Sequence, residues 1–315
     1  MANNRINFVG KIKTSLIISA SVILLGIISI FSQGGLNYNI EFSGGYLMHA
    51  GFYETVDISE LRSVFSEDED LRGMEIQEFS DIGTAISEFE TEVVLKFKKP
   101  GRDVSSVEDS VVSLINEKYG VDSYEVRQSS SIGPKVGDEL KNSTVQAIIW
   151  ALIFILIYIT IKFRFRFGIA AIAALFHDVL ITVGMLSFLG FFFNIEISLS
   201  VIAAVLTIVG YSLNDTIVVF DRIRENIKKL EGMEFDKMIN VSINETLKRT
   251  MLTSLTTSIV VLILLIFGGE VLRDLSTTLL IGVIAGTYSS IFIAAPILIL
   301  WEYKRMQKRR RLANA

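Results

Sequence analysis

An acidic residue, Asp215, stands in the otherwise uncharged stretch Thr207 to Phe220, and the segment Gly210 to Asn226 around it reads GYSLNDTIVVFDRIREN. An ionisable side chain within a membrane span costs about 3 kcal/mol unless it faces water or a partner, which makes Asp215 a candidate functional group. Its candidate partner is Arg249, because both lie seventeen residues from Gly232. If Gly232 marks the turn between two antiparallel helices, a rise of ~1.5 Å per residue puts both charges at one depth, ~25 Å from that turn. Thr207, Tyr211 and Asp215 recur every four residues, as do Arg249, Thr253 and Thr256 or Thr257 on the next apolar stretch. A carboxylate and a guanidinium between two hydroxyl-lined faces can hold a file of water or relay protons, and equally fit an ion pair that only fixes helix register. Desolvation and a nearby guanidinium act in opposite directions on a buried carboxylate, so movement of Arg249 would change whether Asp215 holds a proton.

A second polar insertion, His177-Asp178, falls eleven residues beyond Arg166 and therefore well inside the third apolar stretch. Histidine titrates near neutral pH and would assist a relay, although a lone buried His also serves as a hydrogen-bonded packing residue. Asp178 would take a neighbouring subunit or a helix dipole as its partner. Asp215, Arg249, Thr253, His177 and Asp178 form the candidate proton-relay set. Lys135, Asp138, Glu139 and Lys141 read as solvated charge near the outer end of the second apolar helix. Asp221, Arg222, Arg224 and Glu225 read as a salt-bridged helix end or a partner contact. Thr278, Gly282, Gly286 and Ser290 repeat a small residue every fourth position, which permits close helix packing within the chain or against a partner. There is no GxxxxGK[ST] phosphate loop, no HExxH and no Cys, and the two His are far apart. The expectation is a transport subunit rather than an enzyme, with no cofactor and no metal.

Half of the 315 residues are hydrophobic and the mean hydropathy is +0.49, values typical of an integral membrane protein. The net charge of −4 averages two unlike parts: between Gln33 and Leu140 there are 22 Asp and Glu against 9 Lys and Arg, and the rest is basic and apolar. Without Cys there are no disulfides, thiolates or iron–sulfur ligands, although this does not fix the compartment. Thr14 to Phe31 follows Arg5, Lys11 and Lys13 and reads as a spanning anchor or a signal peptide; its length and the lack of a small-x-small site favour the anchor.

Five further apolar stretches centre near Leu152, Leu180, Val205, Val260 and Val283, after a polar hinge at Gly133, Pro134 and Gly137. Basic residues gather on one side of these six stretches: Lys162, Arg164 and Arg166, seven between Arg222 and Arg249, and Lys304, Arg305 and Lys308 to Arg311 at the tail. The opposite turns, Phe191 to Ile195 and Gly268 to Asp274, contribute only Arg273, so the positive-inside rule predicts that both termini are cytoplasmic. The expected organisation is a cytoplasmic N-terminus (1–13), a first transmembrane helix (14–32) and a periplasmic α+β domain (33–140). Five more helices follow (141–303), with a cytoplasmic loop near 226–240, then a basic cytoplasmic tail (304–315). The tail suits anionic lipid more simply than RNA or a ribosome, so the bilayer and not nucleic acid is the expected partner.

Within the acidic domain, alternation in Ile40 to Phe52 predicts a strand, and Asp57 to Phe65 a helix with Asp57 as N-cap and Glu60 at its third position. Met74 to Phe79 and Val93 to Phe97 read as strands, Val107, Val111, Leu114 and Ile115 as one helix face, and Val121 to Arg127 as a fourth strand. This β-α-β-β-α-β order predicts a ferredoxin-like split motif. Gly44 and Gly45 most simply make a tight turn or a bulge. The predicted fold class is therefore a polytopic α-helical membrane protein of six spans, with a ferredoxin-like extracytoplasmic domain between the first two. That domain is either a passive cap or coupled to the charged pair in the membrane.

The segments Ile40-Glu41-Phe42-Ser43-Gly44-Gly45, Gly133-Pro134-Lys135-Val136-Gly137, His177-Asp178, Gly210 to Asn226 and Arg249-Thr250-Met251-Leu252-Thr253-Ser254 resemble the SecF side of the SecD/SecF family, within the resistance-nodulation-division superfamily. The resemblance covers nearly the whole chain. It implies a six-helix half of a pseudo-symmetric twelve-helix unit with SecD, in the bacterial inner membrane. It also implies use of proton-motive force to pull or hold a preprotein emerging from the SecYEG channel, with YajC as a further partner. By motif, Asp215 and Arg249 match the family's membrane carboxylate and arginine, and Thr253 a hydroxyl position beside them. Glu41 stands where the family often has Asp, which keeps the charge. Two other readings remain beside this one: half of a proton-driven exporter of small molecules or lipids, and a noncatalytic assembly subunit.

Overall fold

The computed structural model describes residues 6–68, 71–78, 88–98, 104–163 and 165–313. Arg5, the expected strand end Phe79, Arg164 and the side chains of Lys308 to Arg311 lie outside what is described. In chain order, a 3₁₀ turn at Val9–Lys11 leads into α1 (Ile12–Ser32), followed by a single helical turn, α2 (Ile40–Ser43). The outer domain continues as β1 (Gly45–Phe52), α3 (Ile58–Glu67), β2 (Glu75–Glu78), β3 (Thr91–Phe97), α4 (Val104–Tyr119) and β4 (Tyr124–Ile132). The rest is α5 (Pro134–Lys162), α6 (Phe165–Phe193), α7 (Leu199–Lys229), α8 (Phe235–Phe267), α9 (Gly269–Ser289), a π-helical segment at Ser290–Ala294, and α10 (Ala295–Ala313). Among the described residues, six helical runs are long and apolar enough to cross a membrane, the last formed by α9, the π segment and α10 together. The π segment precedes Pro296, which has no N–H to give the carbonyl four residues back, and the helix widens there.

The outer domain is the expected split motif. Its sheet runs β2-β3-β1-β4, every neighbour antiparallel. Alternate residues Tyr46, Met48, Ala50 and Phe52 of β1 and Val93, Leu95 and Phe97 of β3 meet Leu61 and Phe65 of α3 and Val107, Val111 and Ile115 of α4. Each large side chain buried there contributes about 1.5–3 kcal/mol. Burial pushes the phenols of Tyr46, Tyr119 and Tyr124 above the ordinary tyrosine value. The Asp57 carboxylate caps α3 by accepting from Ser59 N at 2.7 Å.

Strands β1 and β4 depart most from the sequence expectation. Ile40–Ser43 is helical rather than extended, because Asn39 Oδ1 accepts from Ile40 N and Gly44, at φ +72°, ends the turn before β1 begins. A Cβ on Gly45 would run into Phe97 O, so β1 and β3 close tightly only over glycine. At the other edge, β4 starts at Tyr124 rather than Val121 and continues through the polar run Gln128 to Ser131. Its ladder to β1 extends that far, and backbone pairing overrides the weak side-chain signal of three serines.

Beside an apolar core that includes Phe163, Phe167, Phe220 and Leu298, the membrane portion also packs small and polar residues inward. The buried face of α1 carries Ser15, Ser19, Gly26 and Ser29, while Ile17, Ile18, Leu24 and Ile28 are exposed. Lipid is as apolar as leucine, so close backbone approach rather than hydrophobicity holds such helices together. Gly26 of α1 crosses Gly184 of α6, and a Cβ added at Gly26 would lie 2.5 Å from Gly184 Cα. Gly26→Leu is therefore expected to remove most folded protein from the membrane, measured as detergent-stable protein per cell, whereas Ile17→Leu on the exposed face should leave it unchanged. The small-residue stripe of α9 is used inside this chain: Gly282 lies against Ile208 of α7, and Gly286 against Ser212.

The segment before β1 stitches the outer domain to the start of α7. Asn37 O accepts from Ile197 N at 2.7 Å and Asn39 N donates to Ile197 O at 3.0 Å. Glu41 Oε2 accepts from Leu199 N, the first residue of α7, at 2.5 Å. Glu196, on the turn between α6 and α7, is almost fully buried between Lys98 at 2.6 Å and Lys96 at 3.2 Å. α5 begins at Pro134, since proline at a first helical turn loses no hydrogen bond, and its charged residues Lys135, Asp138 and Glu139 precede the apolar part.

Candidate functional site

α7 carries Asp215 to the middle of the bundle, where it is 2% exposed. Its Oδ2 accepts from Ser254 Oγ of α8 at 3.3 Å, and the Thr253 hydroxyl stands beside the same carboxylate. Ser254 Oγ is 2.5 Å from Thr287 Oγ1 of α9, and Thr287 also reaches Val283 O at 2.7 Å. Each hydroxyl has one proton, so this chain has two polarities. With Asp215 ionised, Thr287 donates to Ser254 and Ser254 to the carboxylate. With Asp215 protonated, the acid donates to Ser254, Ser254 to Thr287, and Thr287 to the Val283 carbonyl. The same atoms serve both forms without leaving a donor unpaired.

The antiparallel pair α7 and α8 turns over at Leu230 to Glu234, where Gly232 has φ +91°. The contacts pair Arg222 with Glu245, Asn226 with Ser242, and Asp215 with Ser254. Arg249 therefore sits five residues before the residue facing Asp215, more than one helical turn closer to the loop. The equal depth expected from the spacing about Gly232 is not met, because the helices cross in a register displaced from their turn. Arg249 is exposed on α8 and, among the described residues, forms no ion pair with Asp215, although its charge acts on it. Thr253 donates back to its own helix at Arg249 O and Thr250 O.

Thr207 is exposed and bonded to Ala203 O, and Thr256 to Leu252 O, so neither comes to the carboxylate. Tyr211 on α7, Thr216 on α7 and Thr250 on α8 each bury a hydroxyl oxygen with no hydrogen-bond partner among the described residues. Such groups in a native core are places for water. At the loop end, Arg222 bonds Glu225 and Glu245, so this charge cluster ties α7 to α8.

A second polar centre lies around Asp178 of α6, which is fully buried. Its Oδ2 accepts from Ser212 Oγ of α7 at 2.5 Å and Ser289 Oγ of α9 at 2.8 Å, and its Oδ1 faces His177 Nδ1 at 3.1 Å. His177 Nε2 is 3.0 Å from Ser19 Oγ of α1, and its ring stacks on Tyr288. Ser254, Thr287, Ser212, Ser289, Ser19 and Tyr288 were not read as site residues from sequence. The available signal was the serine spacing on the first apolar helix and the small-residue stripe on the last.

Comparison with known proteins decides the family. The model described as protein export membrane protein SecD/SecF, C-terminal, matches residues 111–304. The protein translocase subunit SecF of Rhodothermus marinus is 40% identical over 310 residues, covering 98% of this chain and 96% of that protein. The SecF subunit of Desulfurispirillum indicum is 43% identical, covering 90% of this chain and 88% of its own length. This chain belongs to the SecD/SecF family.

The SecD/SecF match takes in Asp215, Arg249, Thr253, His177 and Asp178 together. The crystal structure of SecDF, a translocon-associated membrane protein from Thermus thermophilus, superposes with a TM-score of 0.79 at 34% identity over 96% of this chain. A SecDF structure in a super-membrane-facing form gives 0.68 at 35% identity over all of it. This chain spans 39% and 41% of those two SecDF chains, so it matches less than half of each.

Proposed function

We propose that this chain is a SecF-type subunit of the protein-export machinery, which works with SecD to drive late preprotein translocation by proton-motive force. Asp215 carries the reading: a buried membrane carboxylate whose hydroxyl partners satisfy it both with and without its proton. A proton crossing the full membrane releases about 2.3 kcal/mol per 100 mV, enough to bias a two-state conformational change. In this mechanism Asp215 takes and gives the proton, Arg249 and Thr253 bias its charge, and water reaches it past Tyr211, Thr216 and Thr250. The His177-Asp178 centre adjoins this path through α7 and α9.

The surface beside the site supports a partner half. Asn214 of α7 and Arg249 of α8 are exposed at a level where lipid would leave their polar side chains unpaired, and SecD is the partner that would cover them. The SecYEG channel, YajC and a preprotein complete the assembly, in the bacterial inner membrane with both termini cytoplasmic. Residues 33–140 would then be periplasmic, with the loop near 226–240 and the tail 304–315 in the cytoplasm.

The test is purification of the chain from its native membrane together with a preprotein-export assay. SecD and SecYEG should copurify, and collapse of the proton gradient should reduce export only in cells that carry the chain. Copurification with an unrelated exporter partner instead would refute the assignment. Within the site, Ser254→Ala is expected to lower gradient-dependent export about tenfold, because a hydrogen bond to a charged group is worth about 1.5–3 kcal/mol. Ser254→Thr keeps the hydroxyl and should retain most of it.

A further inference from the structure

Hydrogen-bond polarity around His177 and Asp178 fixes how many protons the two residues hold. Tyr288 OH donates to the Ser15 carbonyl at 2.6 Å, and a carbonyl cannot donate in return, so the tyrosine's only proton is used there. Ser19 Oγ then donates to Tyr288 OH at 3.0 Å, which uses the serine's only proton. His177 Nε2, 3.0 Å from Ser19 Oγ, must therefore carry a hydrogen. At the other ring nitrogen, Nδ1 meets Asp178 Oδ1, and one proton has to lie between them. Either the imidazole is doubly protonated against a carboxylate, or a neutral imidazole accepts from a protonated Asp178. Both forms have the same proton count and no net charge. Removal of the proton would set two lone pairs against each other at one end of the ring in a fully buried place.

The pair also holds two helices in register. Asp178 Oδ2 accepts from Ser212 of α7 and from Ser289 of α9. Ser212 lies three residues before Asp215, and Ser289 two residues after Thr287, the far member of the hydroxyl chain that reaches Asp215. The same two helices are thus tied at Asp178 and joined again, about one turn away, at the carboxylate that changes charge.

We infer that His177 and Asp178 form a proton-retaining, net-neutral pair that acts as a positioning device for Asp215, holding Ser212 and Ser289 so that Ser254 and Thr287 reach it. Asp178 keeps its shared proton while Asp215 exchanges its own. The assignment rests on the reading of Asp215 as the exchanging carboxylate. The titratable groups around the pair are Tyr288 from α9 and Asp215 from α7, with Arg249 of α8 beyond Asp215; α1 brings the Ser15 carbonyl and the Ser19 hydroxyl, and α5 and α10 make no hydrogen bond to it among the described residues.

Asparagine is the diagnostic substitution. In Asp178→Asn the amide oxygen accepts from Ser212 and Ser289, the amide nitrogen donates to Nδ1, and neutral His177 still donates to Ser19, so every bond survives without a titratable proton on residue 178. Gradient-dependent export, measured in the assembled complex across external pH, should stay within about twofold of wild type with a superimposable pH profile, since no hydrogen bond is lost. Asp178→Ala should lower export about tenfold and displace the profile, as the hydroxyl chain at Asp215 loses its register. If Asp178→Asn abolishes gradient-dependent export while still assembling with SecD, residue 178 must release a proton and the inference is overturned. It is equally overturned if Asp178→Ala matches wild type in rate and profile. Should Asp178→Asn fail to accumulate, infrared titration of the purified complex decides: Asp215→Asn alone and Asp215→Asn with Asp178→Ala share all other carboxyl groups and should show the same carboxyl-to-carboxylate change, and a change present only when Asp178 is there refutes retention. Wild-type export by Asp215→Asn would instead sink the reading of Asp215 itself, whatever residue 178 does.

Discussion

Asp215→Asn is expected to reduce preprotein export to the level of cells lacking the chain, while the variant still accumulates and still binds SecD. Asparagine preserves the shape and the contact with Ser254, so the structural part of the site remains. What it removes is the alternation. A carboxyl group can receive from Ser254 in one state and give to it in the other, whereas the amide cannot change its charge, and the hydroxyl chain from Thr287 is left in one polarity. The loss should appear only in the gradient-dependent fraction: after the proton gradient is collapsed, wild type and variant should export at the same residual rate. Asp215→Glu supplies the control, since it restores a titrating group in a slightly overfilled place and should recover part of the activity. Unchanged export with unchanged gradient dependence in Asp215→Asn would reduce Asp215 to a structural polar residue and favour a scaffold subunit.

The outline of this site was legible in the sequence because charge in an apolar helix is rare and costly, so Asp215, Arg249 and His177-Asp178 stood out without any contact information. Its partners were not legible. Ser254 is one residue from Thr253 on the same helix, and only the rotation of α8 against α7 decides which hydroxyl faces the carboxylate. The displaced crossing of those helices also defeats the symmetric count about Gly232 and leaves Arg249 on the outside. In the outer domain, alternation found the β1 and β3 cores because one face is apolar, whereas for β4 it marked only Val121 to Arg127 and missed the polar continuation Gln128 to Ile132, which backbone pairing with β1 makes a strand. Glu196 escaped notice for another reason: in a short outer turn a carboxylate looks solvated, and only the folded domain above it brings two lysines to it.

Glu196→Ala is expected to release the outer domain from the helix bundle. Glu196 is 3% exposed and lies between Lys96 and Lys98, which are themselves largely covered. Its backbone N–H is held by Asp274 Oδ2 at 3.1 Å, so the carboxylate is fixed as well as charged. Breaking a buried pair by removing one member costs about 3–5 kcal/mol; here Lys96 loses this ion pair, while Lys98 keeps Asn37 Oδ1 at 3.1 Å and Glu75 at 3.9 Å. Among the described residues, the links that remain between the domain and the start of α7 include the two backbone bonds to Ile197, the Glu41 carboxylate on Leu199 N, and the apolar cluster that Phe42 shares with Ile195, Ile197 and Val201. The chain has no Cys, so a pair introduced as Tyr38→Cys and Ile197→Cys, residues that face each other in a parallel bridge, reads docking directly. The disulfide should form readily in the otherwise wild-type chain and poorly when Glu196→Ala is added, whereas Glu196→Gln, whose single amide oxygen can replace only one of the two carboxylate oxygens that accept from the lysines, should fall between. The functional consequence follows from where the clamp sits. It grips the first residue of α7, and Asp215 lies sixteen residues along the same helix, so a rigid α7 carries any displacement at the carboxylate to the sheet through Glu41 and β1. Glu196→Ala should therefore lower gradient-dependent export while leaving the Asp215 site intact, with SecD binding retained. Normal export from a demonstrably undocked domain would show that the domain is a passive cap and that the work of α7 leaves the membrane by another route.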